Sequence, residues 1–328
     1  MKKILAMCMA LALVLSFGSF AMGEAEPVNV AIVVAGGLGD RSFYDSANEG
    51  LQSLIADYGV NGTVIECKED ASMYTTQLIN AAETNDFVVA VGWQFWDGLV
   101  EIVPELPDTR FIFVDNGLDG VGDNLMSITY AQNEGSFLVG YIAAKLSETG
   151  KIGAVGGMDN ETINDFLVGY EAGAKYADEA VEVHTIFAGD FEDPAKGKEN
   201  ALALYSMGCD IVFQVAGKTG EGVFEAAVET GNYAIGVDSD QKYINPDVII
   251  CSMIKQVGLS IYDTVAAYID NGEFRGGEIW VADMATGFID VGYGEEDMVQ
   301  QVPDDLKAEV AELKEKIIAG EIEVPSAL

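Results

Sequence analysis

The chain has 328 residues and a formal net charge of −37, with 54 acidic against 17 basic side chains. Its 49% hydrophobic and 22% charged content is that of a folded protein long enough for two domains with real cores, which excludes a disordered tail. So acidic a surface repels nucleic acid, and no nucleic-acid partner is expected.

Residues 1–23 begin with Lys2 and Lys3, run apolar to Phe20 and leave through Ala21-Met22-Gly23, the pattern of a secretory signal peptide cut near Glu24. Export across the cytoplasmic membrane follows, to a periplasm or the outer face of the cell envelope. No later run is long enough to cross a bilayer. Cys8 falls in the signal, leaving Cys67, Cys209 and Cys251 scattered in or beside apolar runs, which suggests buried thiols and no disulfide framework. His184 has no His or Cys at ligand spacing, so neither a metal nor another cofactor is expected.

Val28 to Ala35 is a β-branched run closed by Gly36-Gly37-Leu38-Gly39, a first strand leading through a loop to a helix over 42–58. Strands over 62–67, 87–91, 110–115 and 125–130 follow, alternating with helices over 72–83 and 95–103; Asp or Ser is available to cap the first of these. After a helix over 132–146 the cycle restarts. Strands are expected over 151–156, 181–188, 211–215 and 233–238, with helices over 162–177, 194–207 and up to 230. This βα alternation predicts parallel sheets covered on both faces. Arg110 to Asn116 (RFIFVDN) and Tyr233 to Gln241 (YAIGVDSDQ) each end an apolar run on an aspartate, so Asp115 and Asp238 occupy equivalent places in two similar halves, at strand ends where such sheets bind ligands.

Beyond Asp238 a strand over 248–254, a helix over 257–271, short strands within 280–293 and a helix over 301–319 return to complete first one sheet and then the other. The expected fold is α/β, two doubly wound parallel-sheet lobes joined by a multi-crossing hinge. One lobe comprises 24–130 plus about 256–282, the other about 131–255 plus 283–328. A cleft between such lobes encloses a small ligand.

Catalytic and phosphate motifs fail. Gly217-Lys218-Thr219 lacks the glycine that a phosphate loop places five positions earlier, where Val212 stands, and Gly37 and Gly39 lack the third glycine of a dinucleotide fingerprint. No G-x-S-x-G elbow is present. What recurs at strand ends and helix starts is aromatic, acidic and basic: Asp40, Phe43, Trp93, Asp115, Phe213, Asp238 and Lys255. Flat rings suit a heteroaromatic ligand; carboxylates and an ammonium suit its hydroxyls. Phe213 fits sheet core as well as it fits a ligand contact, and Asp40 fits a helix cap as well.

The segments GGLGDRSFYDSANEGL (36–51), FIFVDN (111–116), EGSFLVGYIAA (134–144), VGGMDNETINDFLVGYEAGAKY (155–176), FEDPAKGKENA (191–201), QVAGKTGEGV (214–223), IGVDSDQ (235–241) and SMIK (252–255) resemble the basic membrane protein (Bmp) family, the purine nucleoside receptor-like substrate-binding proteins of ABC transporters. The resemblance implies a type I periplasmic-binding-protein fold and a monomeric, non-enzymatic receptor that passes a purine nucleoside to an ABC permease. It also implies a base between the rings of Phe43 and Phe213, ribose hydroxyls on Asp238 and Lys255 with help at Gly217, and Asp115 near the base. Three features depart from the pattern. Val34 and Ala35 replace a polar residue usual before the Gly-Gly pair, Tyr44 follows Ser42-Phe43 where the family has Asn, and no lipobox cysteine follows the signal. Another heteroaromatic or sugar-like ligand is the alternative, and an envelope nucleoside hydrolase the outside one.

Overall fold

A computed structural model of the chain describes residues 26–328; the expected signal peptide and Cys8 lie outside the described residues. Twelve strands among them form two six-stranded sheets. The first contains β1 (Asn29–Val34), β2 (Asn61–Glu66), β3 (Phe87–Val91), β4 (Arg110–Val114), β5 (Leu125–Tyr130) and β11 (Ile279–Ala282), in the order β11-β5-β4-β3-β1-β2. The second contains β6 (Lys151–Gly156), β7 (Glu182–Phe187), β8 (Ile211–Val215), β9 (Tyr233–Asp238), β10 (Ile249–Lys255) and β12 (Ile289–Gly292), in the order β12-β10-β9-β8-β6-β7.

The composition of each strand matches its place. Central strands β3, β8 and β10 are buried at every position, as helices on both faces require, whereas the edge strands β2 and β7 are partly exposed. The sheets are parallel except at β12, which pairs antiparallel with β10. The short connection 283–288 from β11 brings β12 into the second sheet from the opposite direction. Residues 131, 256 and 283–288 are the three connections between elements of the two sheets.

The helices after two of these crossings are held close. Helix Gln132–Leu146 packs on Glu161–Ala177 so tightly that a Cβ on Gly173 would stand 1.8 Å from the Phe137 carbonyl oxygen. In the first half, helix Val257–Asn271 meets Phe43–Tyr58 where a Cβ on Gly50 would stand 2.2 Å from the Gly258 carbonyl oxygen.

Two elements depart from expectation in detail. The stretch 93–105 is a short α-helix, Trp96–Ile102, between 3₁₀ turns at Trp93–Phe95 and Val103–Glu105. Helix Tyr74–Ala82 begins after Met73 without a side-chain cap, because Asp70 instead accepts the backbone N–H and hydroxyl of Ser72.

Strand register fixes the cleft. Val34, Val91, Val114 and Ile128 lie level across the first sheet, so the residues that follow them share one edge. Level ends in the second sheet place Gly157 and Ala216 beside each other, and Asp238 is paired with Ile254, next to Lys255.

Candidate functional site

Asp115 follows β4 and Asp238 ends β9, and both adopt left-handed backbone, with φ of 75° and 63°. For a residue with a Cβ this costs on the order of 1–3 kcal/mol, and such strain gathers at functional sites. Each carboxylate reaches a residue of the opposite half. Asp115 accepts from the Lys255 ammonium at the end of β10, and Asp238 accepts from the Ser42 hydroxyl at the start of helix Phe43–Tyr58. Burial pushes both carboxyls above the usual range; the Lys255 ammonium opposes that rise in both, and the Ser42 hydroxyl also opposes it in Asp238. Lys255 is 1% exposed, and its Nζ faces the rings of Tyr130 (4.8 Å), Phe166 (5.1 Å) and Phe43 (5.2 Å). These ring faces and the Asp115 carboxylate compensate its desolvation.

Seven of the eight sequence-derived candidates, Asp40, Phe43, Trp93, Asp115, Gly217, Asp238 and Lys255, line one cleft between the sheets. Its cavity volume is about 70 Å³. One water needs roughly 10–15 Å³ by that measure, so the space suits a small molecule. Asp40 is committed to the chain: its carboxylate accepts from the N–H groups of Ser42 (3.1 Å), Tyr44 (2.9 Å) and Asp45 (3.0 Å), capping the helix start. Burial pushes its carboxyl up to about 7 against the pull of those bonds. Trp93 stands at the rim, 41% exposed. Gly217 opens the 3₁₀ turn after β8 with φ 54°, and the point where a Cβ would stand is 3.5 Å from the Phe191 carbonyl oxygen.

Phe213 is corrected. It is fully buried, its ring is 5.2 Å from that of Tyr170, and it does not line the cleft. It is the third residue of five in β8, two short of the strand end, whereas ligand positions lie beyond such ends. The rings that line the cleft besides Phe43 and Trp93 are Tyr44, Phe166 and Phe191. Phe191 was legible by the argument that selected Phe43, an aromatic in a polar loop. Phe166 was hidden inside a helical pattern. Gln94, Asn160, Glu192 and Lys218 also line the cleft and were not among the candidates. Val34 and Ala35 are fully buried and offer it nothing polar.

Cys67, Cys209 and Cys251 are free and buried, and no group of acids, histidines or cysteines among the described residues could hold a metal ion. No described helix is long and apolar enough to cross a membrane.

Two α/β bodies with three connections and a cleft lined from both define a solute-binding protein of the type I periplasmic fold. A solved ABC-transporter solute-binding protein from Aeropyrum pernix K1 superposes with a TM-score of 0.81 at 27% identity, covering 91% of this chain and 94% of that one. Residues 27–327 match the family model for PnrA-like ABC transporter substrate-binding proteins, and the chain belongs to this Bmp family. Basic membrane protein A1 of Borrelia garinii subsp. bavariensis is 34% identical, covering 92% of this chain and 89% of that protein. The ABC transporter nucleoside-binding protein BmpA of Lactococcus lactis subsp. cremoris is 35% identical, covering 91% and 89%. The chain is therefore an ABC-transporter substrate-binding protein that works outside the cytoplasm with a small-molecule ligand and a membrane permease.

Proposed function

We propose that the protein captures a purine nucleoside in the interlobe cleft and delivers it to its permease without chemical change. The observation that carries this reading is the convergence of Asp238, Asp115 and Lys255 beside the ring of Phe43. A ribose diol donates to a carboxylate and accepts from an ammonium, while a base stacks on an aromatic face. Asp238 and Lys255 hold the ribose, with the Gly217 backbone close by; Phe43 stacks on the base, and Phe191, on the loop beside Gly217, replaces Phe213 as the second ring. The kinship with a protein named as nucleoside-binding favours this ligand over a free sugar.

The moving bodies are residues 24–130 plus about 256–282, and about 131–255 plus 283–328, hinged at the three connections. The receptor is a monomer, exported by its signal peptide to the periplasm or the outer face of the envelope. A thermal-shift panel of nucleosides, free bases, pentoses and hexoses tests the reading. Ligand at a hundred times its dissociation constant adds about 2.7 kcal/mol of stability. Purine nucleosides are expected to raise the melting temperature and to be recovered intact; release of free base from inosine would instead mark a hydrolase.

A further inference from the structure

The acids and the lysine described above are already bonded, whereas beside Tyr44 the Gln94 side-chain oxygen is not. Tyr44 is 6% exposed, and Glu192 and Gln94 both stand near its ring. On one side, its Cε2 edge and Glu192 Oε1 stand 2.8 and 2.7 Å from the point a Cβ on Gly36 would occupy. On the other, its hydroxyl and Gln94 Oε1 stand 3.9 and 2.5 Å from the corresponding point on Gly92. Gln94 lines the cleft, yet its Oε1 is shielded from solvent and has no hydrogen-bond partner. An acceptor left so is a standing cost that a ligand donor removes. The second Glu192 oxygen holds Lys218 at 3.4 Å, which leaves Oε1 free to accept.

We propose that this end of the cleft reads a purine edge with two adjacent donors, the ring N1–H and the 2-amino group of guanine, through Gln94 and Glu192. The inference rests on the nucleoside reading above and makes Gln94 a specificity-determining residue. Inosine keeps the N1–H but carries hydrogen in place of the amine, so it leaves one acceptor unpaired. Adenosine presents a bare ring nitrogen at N1, a lone pair facing acceptors. Val34 and Ala35, at the end of β1, offer no polar alternative.

Guanosine and inosine differ only in the 2-amino group, so their dissociation constants, measured by calorimetry on the mature protein, isolate it. The wild type is expected to hold guanosine about tenfold more tightly, the worth of one hydrogen bond to an otherwise unpaired buried group. Gln94→Leu is expected to remove that advantage while leaving inosine within about twofold, the loss being confined to one donor. With Gln94 taken by the 2-amino group, Glu192 faces the N1–H that both nucleosides carry, so Glu192→Gln should weaken guanosine and inosine alike. Equal affinities in the wild type, or a Gln94→Leu loss shared equally by both nucleosides, overturns the proposal. If a sugar binds and neither nucleoside does, the nucleoside reading itself falls.

Discussion

Asp115 and Asp238 stand at equivalent strand ends and share a left-handed backbone, Asp238 buried and Asp115 nearly so, yet their partners differ. Asp115 is ion-paired to Lys255, whereas Asp238 is bonded to the neutral Ser42 hydroxyl. The repeated α/β half sets where each carboxylate stands; what crosses from the other half sets what it can do. Asp115 serves first as the counter-ion of a buried lysine. Asp238 keeps acceptor capacity for ligand hydroxyls.

The strongest way to break this contrast is to remove the shared cation. Lys255→Met leaves Asp115 buried without its partner, and breaking a buried pair costs about 3–5 kcal/mol. Thermal unfolding of the unliganded protein should show that loss, and adding Asp115→Asn should restore much of it. Next come the aspartates singly. Asp238→Asn should weaken guanosine binding about 100-fold, or about 2.7 kcal/mol, as expected when hydrogen bonds to a charged group are lost. Asp115→Asn should cost affinity less and stability more, as calorimetry paired with unfolding will show.

Gly50→Ala and Gly173→Ala compare how firmly each half is packed. Both force backbone apart at a helix crossing and should each destabilise by about 1–3 kcal/mol, with the larger fall in unfolding midpoint for Gly173, where the approach is closer. A further comparison concerns pH. Asp40 has its carboxyl raised from 3.8 to about 7 by burial, so the folded state holds this proton more tightly than the unfolded chain. The stability this contributes is complete below about pH 4 and is lost as pH rises through about 7. The wild-type melting temperature should therefore fall more steeply than that of Asp40→Asn between pH 5 and 8.

Strand order along the chain was legible because buried parallel strands are written as apolar β-branched runs; β3, β5, β6 and β8 begin and end at the expected residues. The two aspartates were legible because each interrupts such a run. Phe213 was misplaced because a strand buried on both faces has no polar alternation to mark its surroundings, and only its distance from the strand end separates core from cleft. Gln94 carried no signal, since a polar residue in a turn is ordinary until the fold shields its oxygen.

The central claim is that Asp238, Lys255 and the cleft aromatics bind a nucleoside as a unit. Titrating the mature wild-type protein by calorimetry with guanosine, guanine and ribose tests it most directly. One guanosine per chain should bind, with guanine and ribose each at least about 100-fold weaker, because each forfeits contacts worth about 2.7 kcal/mol. Tight binding of ribose or another free sugar, with no heat from guanosine, would contradict the account.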